Sequence, residues 1–174
     1  MPCAGSYGLL AATSVPASSY RFAIYRWTLR GVRSDERLVV VTDAPDLDDA
    51  LLSLLLRAED DPAASPTSDE YAELDARHHA KWSEALANHT AENRQHVEFR
   101  IRSLQASHAA RRRILEDQIA RATNDKIQIM KRSERASADA DFERHLADLE
   151  RAANAGDIYA TPVLLGVLTV REAR

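Results

Sequence analysis

From Ser68 to Ala153 the chain runs 86 residues without a proline or a glycine. Those two residues are the strongest helix breakers, so a span this long without either is read as helical. One straight helix of that length would extend about 130 Å at 1.5 Å per residue. An apolar, strand-like segment, TPVLLGVLTV from Thr161 to Val170, follows the span. Its only matching partners lie far upstream, so the helical span has to fold back on itself.

Two clusters of capping and turn residues mark where it turns, Thr90 to Asn93 and Thr123 to Lys126. Turns at both leave arms over residues 92–122 and 125–154, which are 31 and 30 residues long and bring the chain home. Val97, Ile101, Leu104, His108, Leu115, Ile119 and Ala122 recur at spacings of three and four on the first arm. On the second arm Ile127, Met130, Ala138, Phe142, Leu146, Leu149 and Ala153 do the same. This is the pattern of an antiparallel coiled-coil seam. Asn154 and Gly156 then stop the second arm.

The strands come from the flanks. YRFAIYRWTL alternates Phe22 and Ile24 against Tyr25, Trp27 and Leu29, GVRSDE supplies a turn, and RLVVVT is β-branched and apolar, which reads as a β-hairpin. Two strands alone are marginal in water, so the hairpin recruits Thr161 to Val170 as a third. Between hairpin and arm, DLDDALLSLLLRAED reads as a short helix capped by Asp43 or Asp46, with Leu51, Leu52, Leu54, Leu55 and Leu56 covering the sheet. DPAASPTSD ends it as a linker. Residues 1–19 lack sustained periodicity and read as a flexible tail, and residues 20–174 as one domain. Within it, residues 20–60 and 160–172 form a sheet-and-helix base and residues 69–154 a helical arm. The fold class expected is α+β, mostly α: a long antiparallel coiled-coil hairpin projecting from a small antiparallel sheet covered by a short helix.

Composition narrows the function. The single cysteine, Cys3, excludes a disulfide framework and suits a reducing cytoplasm. The longest early apolar run, GLLAATSV, has no preceding Lys or Arg and is too short to span a bilayer, so neither a signal peptide nor a membrane partner is expected. There is no glycine-rich phosphate loop, no G-x-S-x-G and no H-E-x-x-H. His78, His79, Trp82 and His89 lie close in sequence but lack paired ligand spacing, and read as packed or exposed histidines. Asp43, Asp46, Asp48 and Asp49 lack the alternating oxygens and glycine of a calcium loop and read as helix caps. No catalytic residue, metal, cofactor or small-molecule substrate is expected.

Charge is the informative feature. The chain is −4 overall, yet between Arg94 and Arg135 eleven basic residues face five acidic ones. That segment is therefore +6 and the remainder −10. A basic arm on an acidic base suits the nucleic-acid backbone, because Lys and Arg gain affinity there by displacing counterions without reading sequence. The residues expected to make the contact are Arg111, Arg112, Arg113, Arg121, Lys126, Lys131, Arg132 and Arg135. Arginine is equally a good helix former and a common solvated flank of coiled coils.

The order RFAIYRWTLRG, ERLVVVT, a leucine-rich helix, RRRILEDQIARATNDKIQIMKRSE, ADADFERHLADLERAANAGDI and PVLLGVLTV resembles the extreme carboxy-terminal region of large bacterial Swi/Snf-type helicase-like ATPases. The resemblance covers roughly residues 20–172. Those proteins translocate on nucleic acid with superfamily-two motor domains, and some occur in phage-defence gene clusters. This chain has no GKT or GKS phosphate loop and no DEAH-like box, so no catalytic residue carries over. The resemblance implies a non-catalytic accessory arm that docks on a helicase-like motor, on another protein subunit or on DNA or RNA. The competing reading is a coiled-coil scaffold or oligomerisation protein, which a second, exposed apolar stripe would favour.

Overall fold

The computed structural model describes residues 3–10, 15–61 and 68–171. The chain divides into two compact units. The first comprises Met1–Leu29, Asp35–Ala87 and Ile158–Arg174, and the second Arg30–Ser34 and Asn88–Asp157.

In the first unit β1 (Cys3–Leu10), β2 (Ser18–Arg30), β3 (Asp35–Thr42), β4 (Glu59–Asp60) and β5 (Asp157–Arg171) form one sheet, ordered β3-β2-β5-β1-β4. The expected hairpin is present, with β2 and β3 antiparallel and Phe22 opposite Thr42. The expected recruitment of the carboxy-terminal strand also occurs, since β5 lies beside β2. The sheet is nevertheless larger than three strands and mixed, because β1 pairs in parallel with β5 from Cys3 opposite Leu164 to Leu10 opposite Arg171.

Strand β1 corrects the reading of residues 1–19 as a tail. Its small residues give little periodicity, but β5 supplies a hydrogen-bonding edge, and the two backbones meet closely at Gly166. A Cβ there would lie 2.5 Å from the Gly5 carbonyl oxygen and 2.6 Å from Phe22 Cζ. Residues 59–60, read as the end of a helix, form β4 and pair with Tyr7 and Gly8.

Strand β2 is buried on both faces, which its alternation explains. Phe22 and Ile24 point to one core with Val40, Leu51, Leu54, Leu168 and Val170. Ala23, Tyr25 and Trp27 point to the other, with Val41, Leu74 and Ile158. The first core is closed by the short helix α1 (Leu51–Leu55), as its leucines suggest, although Leu56 is 89% exposed. The aspartate caps expected there are absent. Asp43 accepts hydrogen bonds from the Arg21 backbone N–H (3.1 Å) and Nε (2.9 Å), and buried Asp48 accepts from the Thr42 N–H at 2.7 Å. These carboxylates fasten the strand ends rather than cap a helix.

The second core is closed by the start of α2 (Ser68–Arg121), a continuous helix of 54 residues. Leu74, His78, Trp82, Ala85 and Leu86 recur at helical spacing, and Trp82 Nε1 donates to the Ile158 carbonyl at 2.9 Å. Arg77 donates to the Thr42 carbonyl, and Lys81 pairs with Asp48. The first five turns of the supposed arm are thus sheet cover. No turn occurs at Thr90 to Asn93. Asn93, 4% exposed, instead accepts from the Val32 N–H at 2.8 Å and donates to the carbonyls of Ala152 (2.8 Å) and Ala153 (3.4 Å). Residues that look like a cap in sequence serve as a clamp within the second unit.

The second turn falls where expected, with α2 ending at Arg121 and α3 spanning Asp125–Ala153. Contacts between the two helices run in opposite sequence directions: Asn93 to Ala152, His108 to Asp139 and Phe142, and Arg111 to Glu134. The helices are therefore antiparallel. Val97, Leu115 and Ala138 are buried between them, and the His108 ring stacks on Phe142 with centroids 4.2 Å apart. Ile127 and Met130, read as seam residues, are 45% and 56% exposed. Gln128 and Lys131, both half-buried, are the less exposed residues there, and Gln128 Nε2 closes the turn on the Ala122 carbonyl at 2.8 Å.

Candidate functional site

The end of the second unit where α2 passes into α3 carries all eight basic residues singled out from sequence. Asn124 begins α3 by accepting the Lys126 N–H at 2.9 Å, and Asp125 sits in the first turn, where the helix dipole favours a carboxylate. Residues 111–135 hold eight basic and four acidic side chains, a net charge of +4.

The geometry splits the eight into two groups. Arg111 of α2 lies 4.0 Å from Glu134 of α3, which also takes Lys131 at 2.9 Å. Arg112 pairs with Glu116 at 3.0 Å, and Glu116 lies 3.8 Å from Arg135 of α3. Each carboxylate thus serves two cations, one from each helix. The Lys131 hydrogen bond and charge, with a smaller contribution from Arg111, hold Glu134 below the usual carboxylate range. Arg113, Arg121, Lys126 and Arg132 are exposed and have no ion pair among the described residues. Only these four are fully available to an external anion. The bridging role of Glu116 and Glu134 escapes a simple charge count, although Arg112 with Glu116 at i,i+4 and Lys131 with Glu134 at i,i+3 are visible as helical pairs.

A second group of polar side chains lies in the first unit. Trp27 Nε1 donates to His78 Nε2 at 2.9 Å, which requires a neutral imidazole bearing its proton on Nδ1. The His78 ring stacks on Tyr25 with centroids 3.5 Å apart, and the Tyr25 hydroxyl donates to Asp75 Oδ1 at 3.0 Å. Burial is the main cause that lowers the His78 pKa, and burial with the Asp75 hydrogen bond raises that of Tyr25 well above its ordinary value. Tyr25, Asp75 and His78 line a cleft of about 420 Å³ with Tyr71, Pro162 and Leu165. The Trp27 Nε1 and His78 Nε2, and the Tyr25 hydroxyl and Asp75 Oδ1, are directed at one another, as in a packed core. The reading of His78 as a packed histidine agrees with this. His89 Nε2 lies 2.8 Å from the Arg30 carbonyl oxygen. Among the described residues no cluster of His, Cys, Asp or Glu is arranged to hold a metal ion, and no helix is long and apolar enough to cross a membrane.

Comparison with known proteins finds no family model, no curated protein and no solved structure that matches this chain.

Proposed function

We propose that this chain is a non-catalytic interaction module that docks on the nucleic-acid backbone through the turn end of α2 and α3. The observation that carries the reading is the group of four exposed, unpaired cations, Arg113, Arg121, Lys126 and Arg132, within a segment of net charge +4. The antiparallel helices act as a coiled-coil arm that presents them, and the resemblance to the carboxy-terminal region of helicase-like translocases supports a role beside a motor subunit, in the cytoplasm and in phage defence. Contact is with phosphate, so binding depends on salt and little on sequence.

Replacing Arg113, Arg121, Lys126 and Arg132 together by Gln keeps helix propensity and removes the unpaired charges. Duplex DNA binding by the parent at low salt, with affinity falling steeply as salt rises, is the expected result. The variant is expected to bind more weakly with a flatter salt slope, by up to about 0.9 per phosphate contact removed. A well-folded variant that binds as the parent does would refute the assignment. A scaffold or oligomerisation role is the second reading, favoured by one observation: an apolar groove of about 640 Å³ in the second unit, lined by Phe99, Leu104, Leu149 and Ala152, with Phe99 71% exposed.

A further inference from the structure

The same end of the second unit exposes large aliphatic side chains among its cations. Ile127 is 45%, Ile129 67% and Met130 56% exposed, all within the first two turns of α3, and Ile114 near the end of α2 is 57% exposed. At about 100° per residue, Lys126, Ile129 and Met130 share one side of α3, whereas Ile127, in the first turn, lies on the stripe of Lys131, Glu134 and Ala138. Gln128, Lys131 and Glu134, all half-buried, and Ala138, buried, occupy the other side, toward α2. The outer face of these turns is therefore aliphatic, with cations beside it. A surface that met only phosphate would gain nothing from isoleucine and methionine, and polar side chains would serve it better.

Residues 111–135 contain no Phe, Tyr, Trp or His. Sequence-tolerant binding of single strands relies on aromatic rings on which bases stack. A basic surface with aliphatic side chains and no ring has a different match. Ile, Leu and Met are side chains that enter the minor groove and open a base step, while adjacent Lys and Arg hold the backbone. We propose that Ile129 and Met130 form an aliphatic wedge that inserts into the minor groove of duplex DNA and kinks it, with Arg121, Lys126 and Arg132 on the flanking phosphates. This inference rests on the backbone-docking reading. It adds duplex over single strand, deformation of the duplex, and preference for easily opened pyrimidine–purine steps such as TA.

The test uses the whole chain and a short duplex with 2-aminopurine beside a central TA step and a fluorophore pair at its ends. A duplex without pyrimidine–purine steps and the single strand serve as competitors. The parent is expected to raise 2-aminopurine emission, to shorten the end-to-end distance and to favour the TA duplex severalfold over both competitors. I129Q/M130Q keeps helix propensity at two exposed positions, so circular dichroism should match the parent. That variant is expected to keep the parent's salt slope, lose affinity only a few-fold, and give neither the emission rise nor the shortening. Duplex binding without either signal, signals retained in the double variant, or equal affinity for the single strand each overturns the wedge and leaves backbone docking standing. No duplex binding at low salt overturns both.

Discussion

Removing the side chain of Asn93 tests whether the second unit is fastened as described. Its oxygen accepts the Val32 N–H at 2.8 Å and its nitrogen donates to the Ala152 carbonyl at 2.8 Å and the Ala153 carbonyl at 3.4 Å, at a position 4% exposed. Asn93→Ala leaves a buried N–H and at least one carbonyl unpaired, each costing about 1–3 kcal/mol. The carbonyls end α3 and recover part of their loss from water, so the expected destabilisation is about 2–4 kcal/mol. For a chain of this size that lowers Tm by about 5–15 °C, readable by circular dichroism at 222 nm. A double-mutant cycle sharpens the test. Gly31 adopts no positive φ, so alanine has no backbone penalty there, but its Cβ would lie 2.4 Å from Asn93 Oδ1. Gly31→Ala should therefore cost about 1–3 kcal/mol in the parent and almost nothing in the Asn93→Ala background. An Asn93→Ala loss under about 0.5 kcal/mol, or strictly additive effects, would refute the clamp.

Three further outcomes are expected. In the sheet, Gly166→Ala places a Cβ 2.5 Å from the Gly5 carbonyl oxygen, which is backbone and cannot swing aside, so urea unfolding should show a loss of about 1–3 kcal/mol; unchanged stability would mean that β1 and β5 are not so closely paired. Because His78 is held neutral with its pKa lowered by burial, the unfolded chain binds the proton more readily. The stability it contributes is complete above the ordinary histidine pKa of about 6.5 and is lost as pH falls from there through the folded-state value. His78→Leu should flatten the fall in Tm between about pH 7 and 5 relative to the parent, and an unaltered slope would sink the assignment. Cysteines at 108 and 139, in a Cys3→Ser background, should be bridged within one chain by a short bifunctional thiol reagent, since the side chains of His108 and Asp139 meet tip to tip with Nε2 3.1 Å from Oδ1. A pair at 115 and 130 should crosslink poorly, because Leu115 is buried between the helices and Met130 is on the outer face.

Where local pattern and tertiary role coincide, the sequence is legible. The hairpin of β2 and β3, the apolar strand β5 and the turn after Arg121 rest on alternation, β-branched runs and an Asn cap, and all three are present. Strand β1 was illegible because Ala4, Gly5 and Ser6 carry no hydrophobic period and take their place from pairing with β5. Thr90 to Asn93 misleads because Thr90 reads as a cap, whereas the helix runs on through it and Asn93 clamps two other segments from its middle, and only the fold decides which. At the basic end the residue types were readable but not their state. Arg111, Arg112, Lys131 and Arg135 are engaged across the two helices by Glu116 and Glu134, a geometry that needs the antiparallel register to be known.

The proposed binding role is supported by where two groups of polar side chains direct their atoms. A general base or nucleophile needs a polar atom directed at open space with a partner that activates it. The most perturbed side chains, His78 and Tyr25, spend those atoms internally: the imidazole Nε2 accepts from Trp27, and the hydroxyl donates to Asp75. Freeing His78 Nε2 would leave the Trp27 N–H buried and unpaired at 3% exposure, a loss that opposes any catalytic use of the imidazole. At the turn end of α2 and α3 the exposed cations without an ion pair among the described residues are Arg113, Arg121, Lys126 and Arg132, which are poor proton-transfer agents near neutral pH and effective phosphate partners. The ion pairs beside them link α2 to α3, so on the proposed reading these four cations sit on a helical surface and would lose less entropy on meeting phosphate than they would on a loose segment.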